Sequence, residues 1–134
     1  MNCIATMNLV SFCRTLGDPT RWRIVRLVSD SALCVCELAD ILEMPQSTVS
    51  SHVQVIRKAG LLESERREKW TYFRIEAKYL GVIESLQASF ADFKVPIWQS
   101  DDKKVAKRLA EREDSCCPGP IKLASRRSPR KALA

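Results

Sequence analysis

Residues 34–62 read CVCELADILEMPQSTVSSHVQVIRKAGLL, and this stretch decides the fold. Leu38, Ala39, Ile41 and Leu42 recur at helical spacing, which predicts a short amphipathic helix over 37–43. Met44-Pro45 ends it, because proline disfavours helical backbone in the residue before it. Pro45 suits the first turn of a second helix, which carries Val49, Val53, Ile56 and Ala59 on one face and stops at Gly60. The other face carries Gln46, Ser47, Thr48, Ser50, Ser51, His52, Gln54, Arg57 and Lys58, with no acidic residue between Met44 and Leu62. Short polar groups that can approach a groove, followed by cations for phosphates, are the chemistry of a DNA recognition helix. The competing reading is a plain solvated helix face.

Upstream, 8–16 and 20–28 read as two helices separated by Gly17-Asp18-Pro19, with Asp18 as N-cap of the second. Leu33-Cys34-Val35 is extended and places Cys36 near the start of the helix at 37, where the helix dipole favours a thiolate. Downstream, apolar and polar residues alternate from Leu62, and 70–75 is rich in β-formers. Arg67-Glu68-Lys69 turns a hairpin, the wing of a winged helix-turn-helix. Arg66, Arg67 and Lys69 at its tip are placed for phosphates or the minor groove, although Glu63, Glu65 and Glu68 dilute the positive field.

Residues 76–94 read as one long helix with Tyr79, Leu80, Val82, Ile83, Leu86, Phe90 and Phe93 in a wide apolar stripe. One small domain cannot bury this stripe alone, which predicts an isologous homodimer. Ser100 caps a further helix over 101–113, with Asp101 and Asp102 at its positive end. Residues 115–134 have the composition of a disordered tail. The expected architecture is mainly α with a small β-hairpin wing. Residues 1–96 form the DNA-binding and dimerisation domain, and 97–134 a marginal helix followed by the basic tail.

Of the net charge of +6, five units come from 121–134, so the pI near 9.2 is mostly a property of the tail. No apolar run is long enough to span a membrane, and 1–18 lack a basic segment followed by a long apolar stretch. A cytoplasmic protein without membrane contact is expected. Its six cysteines include the close pairs Cys34/Cys36 and Cys116/Cys117. Clustered thiols in a reducing compartment point to soft-metal binding or redox sensing. There is no phosphate loop, no paired catalytic carboxylates, no Cys-X-X-Cys and no nucleophile–histidine set, so an enzyme is not expected.

The segments CVCELADIL (34–42), STVSSHVQVIRKAGLL (47–62) and RREKWTYFRI (66–75), with LGDPTR at 16–21, resemble the ArsR/SmtB family of dimeric metal-responsive repressors over residues 7–95. Cys34-Val35-Cys36 is similar to the arsenic-responsive branch, where a Cys-Val-Cys-Asp-Leu-Cys run binds trivalent arsenic or antimony. The resemblance implies a repressor of double-stranded operator DNA that lets go on binding arsenite or antimonite, with no organic cofactor. Ala39 stands where the third cysteine of that run would be. Cys116 and Cys117 are the first candidates for the missing ligand, then Cys13, whose competing reading is a plain buried position, then Cys3. The family's aspartate–histidine zinc site is absent, since His52 is the chain's one histidine. Rival readings are a redox or cadmium, lead or mercury sensor of the same fold, a thiol-dependent reductase or metalloid-transfer protein, and a winged helix used only for protein contacts.

Overall fold

The computed structural model describes residues 8–90 and 95–123. The chain runs α1 (Leu9–Leu16), α2 (Pro19–Asp30), β1 (Leu33–Cys34), α3 (Val35–Leu42), α4 (Gln46–Lys58), β2 (Leu62–Arg67), β3 (Trp70–Ile75), α5 (Leu80–Ser89) and α6 (Pro96–Ala110). Single 3-10 turns occupy Ala77–Tyr79 and Arg112–Asp114. This is a winged helix-turn-helix, helical apart from one antiparallel sheet of strand order β1-β3-β2.

Local chemistry sets most boundaries. The Asp18 carboxylate accepts the N–H groups of Thr20 at 2.8 Å and Arg21 at 3.1 Å, and Pro19 opens α2, as the sequence predicts. α3 stops at Glu43, which is left-handed at φ 58°, and extended Pro45 then caps α4. Gly60, at φ +90°, turns the chain out of α4. The hairpin pairs Leu62 with Ile75 through to Arg67 with Trp70, and Glu68-Lys69 make its two-residue turn. β1 joins the opposite edge of β3 and sets Cys34 beside Tyr72.

The main core lies under the helix-turn-helix. Leu38 and Ile41 of α3 meet Val49, Val53 and Ile56 of α4, above Ile24, Val25 and Val28 of α2. Each such side chain contributes roughly 1.5–3 kcal/mol by leaving water. These residues fix the pitch of α4 and so decide which of its side chains face outward.

Three expectations are corrected. The helix expected at 37 begins at Val35, because Cys34 itself becomes the N-cap. The long helix of 76–94 is instead a 3-10 turn followed by α5, which ends at Ser89; Phe93 lies outside the described residues. The helix expected at 101–113 starts at Pro96, so Ser100 is not its cap.

Asp101 is therefore mid-helix. It is fully buried and takes two hydrogen bonds of 2.9 Å from Arg23 on α2. α6 has few apolar positions and docks through charge: Lys104 pairs with Glu43 and Arg108 with Asp40, each at 2.9 Å, and Arg26 lies over the Trp98 ring. Residues 115–123, whose composition suggests disorder, make defined contacts with the sheet. Residues 124–134 lie outside the described residues.

Candidate functional site

A sulfur cluster forms where β1, α3 and the segment after α6 meet. Cys34 ends β1 in extended backbone at φ −92° and ψ 170°. Cys36 is the second residue of α3. Two residues apart on a helix would face away from each other, but the extended cap lets both thiols reach one side. Cys117 arrives from 83 positions along the chain and sets its Sγ 3.7 Å from that of Cys34. All three sulfurs lie within 4.8 Å of one another. Cys34 and Cys117 are buried, and half-buried Cys36 is the open side of the cluster. Of the vicinal pair, Cys117 joins this group and Cys116, which is exposed, does not. Cys13 is also exposed, contrary to the buried reading, and Cys3 lies outside the described residues.

Charged groups brace the cluster. Glu37, fully buried, accepts the Cys34 N–H at 3.2 Å through Oε1. Arg112 grips the same carboxylate at 2.7 and 2.9 Å, donates to the Ala32 carbonyl at 2.7 Å and lies over the Tyr72 ring. Arg108 donates to Asp40, sets Nη2 3.7 Å from the Cys117 sulfur, and leaves Nη1 buried without a hydrogen-bond partner among the described residues. Cys34, not Cys36, is the residue at the cap, and its thiol is not eased towards the anion there. Burial pushes its thiol far up, against the opposing Glu37 N–H, because removing water costs an anion more than one backbone dipole returns. Burial also raises the Cys117 thiol, with the Cys34 contact opposing, and pushes Tyr72 up to about 12.

On α4, Gln46, Ser47, Thr48, Ser51, Arg57 and Lys58 are exposed, while Ser50, His52 and Gln54 are half-buried. They form one polar face, since Val49, Val53 and Ile56 take the other into the core. Ser51 donates to the Ser47 carbonyl at 3.1 Å. His52 lies near the Asp18 carboxyl, which is held below its usual range: burial opposes this, and the Arg21 and Thr20 N–H groups with the His52 charge outweigh it. On the wing, Arg66 and Lys69 are exposed; Arg66 donates to the Glu68 carbonyl at 3.2 Å and the Lys69 ammonium lies over the Trp70 ring. Arg67 is placed differently: it is half-buried and donates to the Gly119 carbonyl at 2.9 Å.

Glu37, Tyr72, Arg108 and Arg112 are absent from the sequence-based site. Glu37 had a local signal, an acid three residues after a helix cap. The other three had none, because their roles depend on where α6 and the segment after it land.

The pattern of a bacterial regulatory protein of the arsR family matches residues 18–64. The arsenic resistance transcriptional regulator ArsR1 of Pseudomonas putida is 35% identical over 83% of this chain and 83% of its own. The arsenical resistance operon repressor of Escherichia coli is 29% identical over 84% of this chain and 92% of its own. Among solved structures, the transcriptional repressor BigR from Xylella fastidiosa has a TM-score of 0.56 and 28% identity, covering 61% of this chain and 85% of that one. The homodimeric winged helix-turn-helix domain Mb0332 from Mycobacterium bovis shares the fold at TM-score 0.56 and 23% identity, covering 65% of this chain and 81% of that one. With a reading helix, a wing and relatives matched over most of their length, the chain belongs to the ArsR/SmtB family of DNA-binding transcriptional repressors.

Proposed function

We propose that this repressor senses a trivalent metalloid, arsenite or antimonite, through Cys34, Cys36 and Cys117, and that binding releases it from operator DNA. The carrying observation is the convergence of three sulfurs within 4.8 Å from two distant segments. Three sulfurs about 2.3 Å from a pyramidal ion stand about 3.4 Å apart, and the Cys34 and Cys117 sulfurs are already 3.7 Å apart, so closing on an ion chiefly draws the three together from within 4.8 Å.

The charge state favours the trivalent ion. Burial holds the Cys34 and Cys117 thiols protonated. Arsenous acid reacts with three thiols to give a neutral tris-thiolate and three waters. Each arsenic–oxygen bond is replaced by arsenic–sulfur, and each thiol proton leaves on the departing hydroxide. No net charge enters the buried site. A divalent ion must expel the three protons and leaves a complex of charge −1.

Cadmium is the second reading, and one observation favours it: the unpaired Arg108 Nη1, on a guanidinium that also contacts the Cys117 sulfur, suits an anionic complex. The cadmium resistance regulatory protein CadC of Listeria innocua is 33% identical over 59% of this chain. Proton balance separates the two, because metal binding to thiols releases protons. Arsenite affinity is expected to stay level between about pH 6 and about pH 8, and cadmium affinity to climb.

The repressor acts as a homodimer in this reading. Leu9 and Val10 on α1, Val82 near the start of α5 and Phe90 just past its end are exposed, Leu9 and Phe90 each at 74%, and offer apolar surface suited to a second copy. Two copies of α4 would then read half-sites about 34–36 Å apart, and a small rotation of either costs contacts. Gln46, Ser47, Thr48, Ser50, Ser51, His52, Gln54, Arg57 and Lys58 supply base and phosphate contacts, with Arg66 and Lys69 on the wing.

The test is arsenite titration of the wild type and of C34S, C36S, C116S and C117S, followed by sulfur–arsenic absorption. Loss of tight binding in all but C116S is expected. A C117S variant that binds like the wild type sinks the assignment.

A further inference from the structure

We propose that Glu65 is a positioning residue for the ion site: it anchors a strap, residues 117–123, that presents Cys117 to the other two sulfurs and draws Arg67 away from DNA. The proposal rests on the ion-binding reading above and adds the route by which occupancy reaches the wing.

Glu65, in the middle of β2, accepts three consecutive backbone N–H groups: Ile121 at 2.7 Å through Oε2, and Lys122 and Leu123 at 2.8 Å each through Oε1. A carboxylate holding successive amides captures backbone specifically, beyond any attraction between side-chain charges. Two residues on, Arg67 Nη1 donates to the Gly119 carbonyl at 2.9 Å. The Gly119 N–H donates to Tyr72 Oη at 2.7 Å, and the Leu123 side chain is buried with Ala32, Cys34, Tyr72 and Cys117. Glu65 pairs with Tyr72 across the hairpin, and Tyr72 pairs with Cys34 across the next strand gap. Anchor, strap and sulfurs thus lie along one row of the sheet.

The position of Cys117 is therefore a consequence of the strap being docked. Gly119 at φ +87° is the pivot, and a Cβ there would meet the Arg112 side chain at 3.1 Å. Arg67 is the last residue of β2, beside the wing turn, where a phosphate contact is made if the wing meets DNA. With the strap docked, its guanidinium is bonded to a carbonyl. DNA that recruits Arg67 must release Gly119 and loosen Cys117, and an ion gripping Cys117 must hold Gly119 in place. Each ligand weakens the other by the same factor, as linkage requires.

The test uses the full chain, sodium arsenite and a duplex selected by the wild type from a random pool. E65A and, independently, G119A are expected to weaken arsenite binding about tenfold, with E65Q, which keeps one acceptor oxygen, in between. Affinity for the duplex without arsenite is expected to rise in these variants, because Arg67 is freed without first releasing Gly119, and its loss on adding arsenite to shrink. Hydrogen exchange at 119–123 is expected to slow with arsenite and quicken with the duplex, a reversal that a purely structural role for Glu65 does not produce. Arsenite affinity at the wild-type level in both E65A and G119A, or exchange at 119–123 unmoved by the duplex, overturns the strap. A wild type that binds no arsenite overturns the ion-binding reading instead.

Discussion

Two interiors of this chain are built from different materials. The larger one, centred between α2, α3 and α4, is mostly aliphatic, and its members need only be apolar and of the right size. The smaller one gathers Ala32, Cys34, Tyr72, Cys117 and Leu123 against the Glu37–Arg112 pair, whose carboxylate is fully buried and whose guanidinium is partly exposed. In the first, burial itself is the driving force. In the second, every polar atom needs a specific partner, because an unpaired buried charge is costly. The first interior holds the reading helix at a fixed pitch, and the second holds reactive groups that a ligand can rearrange. In the proposed function, recognition falls to the first and release to the second.

The largest expected effect strikes the smaller interior. R112M leaves the buried Glu37 carboxylate without its partner and should cost about 3 kcal/mol, the lower end for breaking a buried pair, because the guanidinium is partly exposed. Chemical denaturation checks this, and a double variant E37Q/R112M should recover part of the loss. If both variants lose the same stability, the pair is not what holds this region. I56A in the aliphatic interior should cost about 2–5 kcal/mol through transfer and cavity terms. It should leave arsenite affinity per folded molecule unchanged, so a parallel loss of affinity would show that the two interiors are one.

Alkali separates them further. The Cys34 thiol is raised above its usual 9.0 by burial, with Cys117 shifted the same way. Such groups favour the folded state while neutral. Their contribution is whole below about pH 9 and is lost as pH climbs towards the folded value. The melting temperature of the ion-free protein should therefore fall above about pH 9, and C34A should flatten that fall. A profile identical in wild type and variant places the alkaline weakness elsewhere. The smallest effect is local: G60A, at φ +90°, should cost about 1 kcal/mol while leaving both interiors intact. A thermal melt that does not move would show that α4 ends equally well without the left-handed turn.

Periodicity made the aliphatic interior readable. Val49, Val53 and Ile56 occupy one face of any helix built from that stretch, so the polar face of α4 followed without coordinates. Asp18-Pro19, Met44-Pro45 and Gly60 carried their own stop and start signals. The cap at Cys34 was misplaced by two residues, because an extended cap and a first helical turn have the same local composition. α6 departs further from its local pattern. Asp101 looks like a helix-start acid in sequence, and only the proximity of Arg23, on α2, makes it an interior one.

Read alone, the chain determined the reading helix, the wing and the presence of two thiols at the entrance of α3, because each depends on residues within a few positions of one another. It also left Ala39 in place of a third thiol. Choosing Cys117 over Cys116, taking Arg67 out of solvent and burying Glu37 belonged to tertiary structure. Those choices depend on where α6 lands on α2 and α3, and the ion pairs that place it join residues whose separation in sequence carries no periodic signal.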